Sequence, residues 1–162
     1  MKIVLDNIRS AWNVGNILRT CDAAGVEEII FCGITPDGNN PKVIKTALGA
    51  EKNLSFKSFN TKTKEKFDID YQDTIDALNY LKEEGYKIIA VEQDERSKML
   101  FKDDFSSYKD KISLVFGNEN NGISKEILDL CDDIIELPML GKKESLNVCV
   151  TAGIIIYHFG RF

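Results

Sequence analysis

Residues 2–32, KIVLDNIRSAWNVGNILRTCDAAGVEEIIFC, decide the fold because they place a strand, a helix and a second strand in succession. The apolar runs at residues 2–6 and 28–32 have the length of buried strands. The stretch between them has apolar residues at helical spacing, behind a possible cap at Asn13 and ahead of a stop at Gly25. These apolar residues are Val14, Ile17, Leu18 and Cys21. A strand, helix and strand in this order form the repeating unit of a parallel sheet.

The alternation continues to the end of the chain. Further apolar runs of strand length occupy residues 54–59, 87–92, 112–116 and 133–137. With the two strands above, they make six. Helical patterns separate them: an apolar face of Ile75, Leu78 and Leu81, a short helix behind Ser124, and a last, almost wholly apolar helix that begins near Ser145. We therefore predict one domain over residues 1–162, with an α/β fold in which helices flank a parallel six-stranded sheet.

Composition excludes several classes of protein. The chain is 43% hydrophobic and 29% charged, as ordinary globular domains are. Its longest apolar stretch, residues 148–159, is shorter than the ~20 residues of a membrane span, and the first residues leave no room for a signal peptide. We expect a cytoplasmic protein without a membrane segment. The polar stretch at residues 60–73 is expected to be a solvated loop without a function.

Metal binding and global attraction to nucleic acid are both disfavoured. Four widely spaced cysteines and a single histidine give no metal-ligand pattern, so we expect buried free thiols and no metal site. The formal charge of -5 gives no overall field that attracts a polyanion. A nucleic-acid partner would therefore need a local cluster of basic groups.

The first segment that can carry chemistry is Asn13-Val-Gly-Asn-Ile-Leu-Arg19, which follows the first strand. Ligands of open α/β sheets gather at the carboxyl ends of strands. On a helix Gly15, Asn16 and Arg19 share one face, so Arg19 projects beside a place where backbone can approach a ligand. An ordinary surface arginine on an amphipathic helix explains the same pattern.

The second segment, Gly117-Asn-Glu-Asn-Asn-Gly122, follows the strand at residues 112–116. Glycine and asparagine tolerate the positive φ angles of a tight loop that can wrap a small ligand. The segment is neither G-x-G-x-x-G nor a P-loop. The carboxylate of Glu119 argues against a pyrophosphate and suits a ligand of cationic character. A plain turn with a solvated glutamate is the alternative.

The third segment, residues 137–147, begins as the apolar bend Leu137-Pro-Met-Leu-Gly141 and enters the last helix. Ser145 could simply cap that helix. Asn147 stands among residues that we expect to be buried, so it needs hydrogen-bond partners. A ligand or a neighbouring loop could supply them.

Taken together, the three segments resemble the motifs of the SPOUT superfamily of RNA methyltransferases, in the SpoU (TrmH-like) branch that methylates ribose 2′-oxygens. The matching residues are Asn13-x-Gly-x-x-x-Arg19, Gly117-x-Glu-x-x-Gly122 with Leu137-Pro-Met139, and Ser145-Leu-Asn-Val148. The resemblance covers the chain from Lys2 onward. It implies an α/β knot, a deep trefoil knot at the C-terminal end that forms the pocket for S-adenosylmethionine. It also implies a homodimer in which the first and last helices pack together.

The resemblance implies roles for particular residues as well. It assigns cofactor binding to Gly117, Glu119, Leu137, Met139, Ser145 and Leu146. It places Arg19, Asn13, Ser145 and Asn147 in the catalytic set, with Arg19 facing the target ribose. Because a guanidinium stays protonated at ordinary pH, we expect Arg19 to orient phosphate and ribose and to stabilise the developing oxyanion. The family proposal makes this arginine the general base. Such a transfer needs no metal.

An RNA substrate follows from the resemblance, and tRNA is favoured over rRNA because a minimal dimer offers limited surface. We expect no separate RNA-binding domain ahead of the first strand. The chain departs from the usual third motif at Cys149 and Thr151. The basic groups available for RNA are Arg9, Lys42, Lys45, Lys142, Lys143 and Arg161.

Two other functions stay open at this point. One is a non-catalytic RNA-binding or assembly protein of the same fold, which the presence of Arg19, Glu119 and residues 145–147 disfavours. The other is an unrelated Rossmann-like nucleotide-binding domain, which the missing G-x-G-x-x-G disfavours.

Overall fold

The computed structural model describes residues 1–60, 71–108 and 111–160. Most of the stretch predicted as a solvated loop at residues 60–73 lies outside the described residues, and so does Arg161. The described residues form an α/β fold, as predicted, with one parallel sheet and helices on both of its faces.

The sheet has seven strands rather than the predicted six. They are β1 (Lys2–Asp6), β2 (Glu28–Cys32), β3 (Ser55–Phe59), β4 (Lys87–Val91), β5 (Lys98–Met99), β6 (Ile112–Phe116) and β7 (Asp133–Glu136). Neighbouring strands are parallel throughout, in the order β3-β2-β1-β6-β4-β7-β5. The additional strand is β5, whose two residues at the edge of the sheet are too few to show a periodic pattern.

Helices connect the strands. The described residues contain α1 (Ala11–Ala23), α2 (Pro41–Ala47), α3 (Gln72–Glu83), α4 (Lys125–Leu128), α5 (Val148–Phe159) and a 3₁₀ helix at Ala50–Lys52. The sequence did not predict α2, because only two of its seven residues, Val43 and Ala47, are buried. Asn40 caps it, and Pro41 takes the first helical position, where proline costs no hydrogen bond.

The cap of α1 differs from the prediction. Ser10, not Asn13, caps the helix, because the Ser10 hydroxyl accepts the Asn13 amide at 3.3 Å. Asn13 therefore lies within the first turn, and its side chain is free for another contact. The predicted cap of α4 is confirmed, since the Ser124 hydroxyl accepts the Ile127 amide.

Two apolar clusters hold the helices to the sheet. On one face α1 and α5 pack over the central strands, through residues such as Ile17 and Ile155. On the other face α3 and α4 do so, through residues such as Leu78 and Ile127. The two central strands, β1 and β6, are buried along their whole length. Because every strand is parallel, the loops after β1, β4, β6 and β7 meet at one edge of the sheet.

All four cysteines are free thiols, as predicted. Cys21 and Cys32 are buried, but Cys131 and Cys149 are only half-buried, so the predicted burial is wrong for these two. Within the described ranges no helix is both long and apolar enough to cross a bilayer. The same part of the chain holds no group of three or more His, Cys, Asp or Glu side chains that could bind a metal ion.

Candidate active site

A pocket of about 490 Å³ opens where β4, β6 and β7 end. This volume is within the usual range for small-molecule sites. All six residues that the resemblance assigned to the cofactor line it, and so do Ser145 and Asn147 of the catalytic set; Asn13 and Arg19 do not. The lining residues are Val91, Glu92, Gln93, Phe116, Gly117, Asn118, Glu119, Asn120, Gly122, Glu136, Leu137, Met139, Ser145, Leu146, Asn147, Val148 and Thr151.

The loop after β6 is built around Asn118, which the sequence did not single out. Its side-chain amide donates to the Asn7 carbonyl at 2.7 Å, and its Oδ1 accepts the amides of Asn120 and Asn121 at 2.9 and 3.1 Å. An asparagine that binds amides two and three residues further on is a recurrent turn former. The buried Asn118 thus shapes the loop and ties it to the end of β1.

Neither Gly117 nor Gly122 can carry a side chain without a steric clash. A Cβ on Gly117 would lie 2.5 Å from Ile123 Cγ1 and 2.7 Å from the Gly122 carbonyl carbon. Gly122 has a φ of 64°, and a Cβ there would overlap the Glu92 carboxylate. The backbone of the loop therefore packs closely against its own neighbours, and Gly122 has the positive φ angle that the sequence predicted for this loop.

Glu119 has hydrogen-bond partners at the start of α1. Its carboxylate accepts the backbone amides of Arg9 and Ser10 at 2.9 and 3.0 Å and the Asn13 side-chain amide at 2.8 Å. Burial alone would raise the pKa of this carboxyl, but the hydrogen bonds outweigh burial and lower it. Glu119 lines the pocket, and its oxygens also hold the start of α1.

Arg19 is exposed on α1, away from the pocket lining. Its guanidinium has no hydrogen bond or ion pair to any described residue. The expectation that a ligand approaches backbone at Gly15 is wrong, because α2 covers this glycine. A Cβ on Gly15 would overlap Thr46 Oγ1 and lie 2.7 Å from the Val43 carbonyl oxygen. Only the Arg19 end of this face is open.

The segment after β7 runs along the pocket to α5. Asn147 was predicted to lie among buried residues, but it is exposed, as are Ser145 and Leu146. Asn147 caps α5 by accepting the Cys149 amide at 2.9 Å, so Ser145 is not the cap and the helix begins later than predicted. A hydrogen bond of 2.7 Å from Gln93 Nε2 to the Glu144 carbonyl fixes the segment to the end of β4.

Two further carboxylates, Glu92 and Glu136, line the pocket, and no sequence pattern pointed to either of them. Glu92 accepts the Ile123 and Gln93 amides, both at 2.9 Å. Glu136 is half-buried, and its carboxylate has no hydrogen-bond partner among the described residues. With Glu119 they make three acidic groups, and no lysine or arginine belongs to the described lining. The pocket therefore favours a ligand that carries positive charge.

Comparison with known proteins gives consistent matches over nearly the whole chain. The sequence model of the SpoU rRNA methylase family matches residues 1–157. The tRNA (guanosine(18)-2'-O)-methyltransferase of Thermus thermophilus is 32% identical over 161 residues, which cover 99% of this chain and 74% of that protein. The 23S rRNA (guanosine-2'-O-)-methyltransferase RlmB of Ralstonia nicotianae is 31% identical over 155 residues, 96% of this chain and 56% of that protein.

A solved structure agrees with these matches. The crystal structure of the AdoMet-bound rRNA methyltransferase from Sinorhizobium meliloti superposes with a TM-score of 0.81 at 26% identity. The superposition covers 98% of this chain and 54% of that one. The chain thus spans about half of the length of the Ralstonia and Sinorhizobium proteins and about three quarters of the Thermus protein.

Proposed function

The chain belongs to the SpoU methylase family of RNA 2′-O-ribose methyltransferases, and on that premise we propose that its pocket holds S-adenosylmethionine and that tRNA is its substrate. The reaction is the transfer of a methyl group from S-adenosylmethionine to a ribose 2′-oxygen. The observation that carries the assignment of the pocket is the convergence there of all six residues that the family motifs assign to the cofactor. With an RNA substrate, we also expect the reaction to take place in the cytoplasm.

The chemistry of the pocket fits this cofactor. When bound, S-adenosylmethionine supplies the methyl group from a positively charged sulfonium. The carboxylates of Glu92, Glu119 and Glu136 give the lining a negative potential, which complements that charge. The crowded glycine Gly117 leaves backbone rather than side chain at the wall, and Leu137 and Met139 offer an apolar surface to an adenine ring.

Arg19 acts on the RNA. An exposed guanidinium without a protein partner can bind a phosphate and orient the ribose beside it. It also stabilises the negative charge that develops on the 2′-oxygen as the hydroxyl proton passes to water. Asn13 positions the first turn of α1 through Glu119, and Ser145 and Asn147 hold the opposite wall.

We favour tRNA for two reasons. The Thermus relative, whose name specifies tRNA, is covered to 74% of its length, whereas the Ralstonia relative, whose name specifies 23S rRNA, is covered to 56%. This chain therefore matches a larger part of the tRNA enzyme than of the rRNA enzyme, and less of the tRNA enzyme lies outside the shared part.

A homodimer and a knot complete the proposal. On α5, Val150 and Tyr157 are 47% and 48% exposed and lie on one face of the helix. Gly153 and Ile154 lie between them at the spacing of one helix face, which suits close packing against a second copy. The knot rests on membership of the family, whose fold threads the segment after β7 through a loop. The contact between Gln93 and Glu144 is compatible with such threading.

Calorimetry and a transfer assay test the proposed function. We expect S-adenosylmethionine, but not NAD, to bind, and we expect a labelled methyl group to enter tRNA transcripts more readily than rRNA fragments. Binding without transfer to any RNA would favour a non-catalytic RNA-binding protein. Mass spectrometry of nucleosides from a deletion strain would then show no missing 2′-O-methyl nucleoside.

Arg19→Ala tests the role of the guanidinium, with Lys82→Ala on α3 as the matched control. We expect Arg19→Ala to lower kcat at saturating RNA by about 100-fold, the usual effect of removing one oxyanion-stabilising donor. RNA binding should also weaken steeply as salt is added. Near-normal transfer by Arg19→Ala would exclude both the stabilising and the general-base role.

A further inference from the structure

One hydrogen bond attaches the chain before α5 to the sheet. Residues 140–147, called the exposed segment below, form no helix or strand, and all of them are exposed. Leu140 is 93% exposed, so apolar packing does not hold this part of the chain. Its charged side chains form no ion pair with any described residue. For residues 138–146, the only hydrogen bond within the described ranges runs from Gln93 Nε2 to the Glu144 carbonyl, at 2.7 Å.

This hydrogen bond is made next to the pocket. Residues 145–146, which line the pocket, come directly after the carbonyl that accepts it. Asn147 then caps α5, so these two residues are held from both sides. Without the bond from Gln93, the nearest attachment before them would be Met139, which packs against the core. Residues 140–146 would then be free to move beside the pocket.

Gln93 is itself held in place by its neighbours. The residue before it, Glu92, donates its backbone amide to the Ile135 carbonyl at 3.1 Å, which extends the pairing of β4 with β7. The Glu92 carboxylate accepts the Gln93 amide at 2.9 Å through one oxygen. Through the other oxygen it accepts the Ile123 amide, at the end of the loop after β6. Two consecutive residues therefore hold two walls of the pocket, Glu92 the loop and Gln93 the exposed segment.

We propose that Gln93 is a positioning residue for S-adenosylmethionine, because its side-chain amide holds Ser145 and Leu146 in the conformation that binds the cofactor. The proposal rests on the proposed function, since it takes the pocket as the cofactor site. It goes beyond the family motifs, which include Ser145 and Leu146 but not Gln93. A wall that is already in its bound conformation loses less conformational entropy when the ligand binds.

The free energy of this hydrogen bond should appear in ligand affinity and not in overall stability. Gln93 and Glu144 are both exposed, so loss of the bond uncovers no apolar surface and leaves no buried polar group without a partner. Surface changes of this kind have small effects on unfolding. They do increase the number of conformations that the exposed segment can adopt. Each binding event must then order the segment again, which weakens binding.

Gln93→Met tests the proposal, because methionine keeps the length of the side chain and removes the donor. We expect calorimetry to show that S-adenosylmethionine binds about 2- to 10-fold more weakly, the effect of one neutral hydrogen bond. KM for the cofactor should rise by the same factor, whereas KM for RNA and kcat at saturating cofactor should change little. Gln93→His keeps an N–H donor at a similar reach and should recover most of the affinity.

Gln72→Met is the matched control. Gln72 is also an exposed glutamine whose Nε2 donates a hydrogen bond of 2.7 Å, but the acceptor is Asp76 Oδ1 on α3. Neither residue belongs to the described pocket lining. The control therefore makes the same substitution at the same kind of bond and should leave cofactor affinity unchanged. An equal loss of affinity in Gln72→Met and Gln93→Met would indicate general destabilisation and would overturn the proposal.

Trypsin reports on the exposed segment without any measurement of activity. The peptide bonds after Lys142 and Lys143 lie within it, and mass spectrometry can follow cleavage at these two bonds. The rate of cleavage there measures how often the segment leaves its place. It should be about 2- to 10-fold higher in Gln93→Met than in the wild type or Gln72→Met. S-adenosylmethionine should slow it in all three proteins.

Affinity and cleavage together decide the remaining cases. Unchanged affinity in Gln93→Met overturns the proposal even if cleavage is faster, because the bond then holds the segment without serving the cofactor. Weaker affinity with unchanged cleavage also overturns it, since Gln93 would then contact the cofactor directly. If the wild type binds no S-adenosylmethionine, the proposed function fails and the proposal fails with it. If the wild type binds it and Gln93→Met binds it equally well, only the proposal fails.

Discussion

The Asn13 side-chain amide donates to the Glu119 carboxylate at 2.8 Å, across 106 residues of chain. Through this contact the loop that lines the pocket and the helix that carries Arg19 become one unit. Glu119 also takes the amides of Arg9 and Ser10, so three donors converge on one side chain.

Glu119→Gln should separate the two parts of the site. A glutamine keeps one acceptor oxygen but turns an NH₂ group towards an N–H donor. Because the carboxylate is partly exposed, we expect a cost of about 1 kcal/mol and a roughly five- to tenfold fall in kcat/KM for RNA. Glu126→Gln, at an exposed position of α4, is the control and should change neither quantity.

The same carboxyl gives a pH dependence. Its pKa lies below the ordinary 4.5 in the folded protein, so its stabilising effect is complete above that value and is lost as pH falls through the folded pKa. The difference in melting temperature between wild type and Glu119→Gln should therefore shrink in acid. A difference that grows in acid would contradict this assignment.

Glu136→Gln tests whether the pocket attracts its ligand by charge. The half-buried carboxylate has no partner among the described residues, so a cationic ligand is its natural counterpart. We expect calorimetry to show S-adenosylmethionine binding about two- to fivefold more weakly, with the difference decreasing in high salt. Glu95→Gln, on the exposed surface, should bind as the wild type does. Equal affinity for Glu136→Gln would mean that this group does not face the bound cation.

Asp6→Asn should change how stability depends on pH. Burial raises the pKa of Asp6, although hydrogen bonds from Thr74 at 2.5 Å and Asn7 at 2.8 Å act the other way, and its Oδ2 is buried without a partner. The folded state thus holds this proton more tightly than the unfolded chain. The free energy of unfolding should then fall as pH rises from about 3.8 towards the raised pKa, by about 1.4 kcal/mol per unit of pKa shift.

The asparagine variant lacks this loss, so its stability relative to wild type should increase with pH. Urea unfolding at a series of pH values measures how the free energy of unfolding changes with pH. If the new amide destabilises the protein equally at every pH, it shifts this curve without changing its slope. For the control Glu95→Gln, the curve of unfolding free energy against pH should run parallel to that of the wild type. Parallel curves for Asp6→Asn as well would show that Asp6 does not titrate differently in the folded state.

Gly15→Ala should loosen the packing of α1 on α2. The added Cβ would overlap Thr46 Oγ1 and meet the Val43 carbonyl at 2.7 Å, and a backbone atom cannot rotate away. We expect a loss of about 1–3 kcal/mol in the free energy of unfolding, although alanine is the better helix former. Gly141→Ala, where an added Cβ meets nothing within 4 Å, should be close to neutral. Equal unfolding midpoints for the two variants would mean that α2 shifts at little cost.

Val150→Glu should dissociate the proposed dimer. A symmetric contact through α5 would bury two unpaired charges at once, so the dissociation constant should rise at least about 100-fold. Sedimentation equilibrium measures it, and Ile44→Glu on α2, another exposed apolar position, should leave it unchanged. A wild-type protein that sediments as a monomer at every concentration would exclude the dimer itself.

The sequence predicted what depends on local pattern and missed what depends on distant partners. Runs of mostly apolar residues mark the strands β1 and β6, and Ile75, Leu78 and Leu81 mark α3 by spacing alone. In contrast, the contacts of Glu119 and Asn118 join residues more than 100 positions apart, which no local pattern records. The edge strand β5 and the short helix α2 bury too few residues to produce a hydrophobic period in the sequence.

The prediction that Asn147 lies among buried residues was wrong for a related reason. Apolar neighbours suggested that Asn147 is enclosed, but the chain there is still outside the core and reaches it only at Ala152. Asn147 satisfies its own hydrogen bond by capping α5. A helix cap and a buried asparagine look alike in sequence, because both precede an apolar helix.

The pairing of Lys2 with Ser113 also bears on how the chain is made. During synthesis β1 leaves the ribosome first, but the side that β6 will cover stays open until residues 112–116 have followed. An apolar strand with an unpaired edge readily joins other nascent chains, and sheets with such distant pairings fold slowly. The protein is therefore most prone to aggregate while it is being translated, and cooler growth or chaperone help should improve its recovery more than any stabilising mutation on its surface.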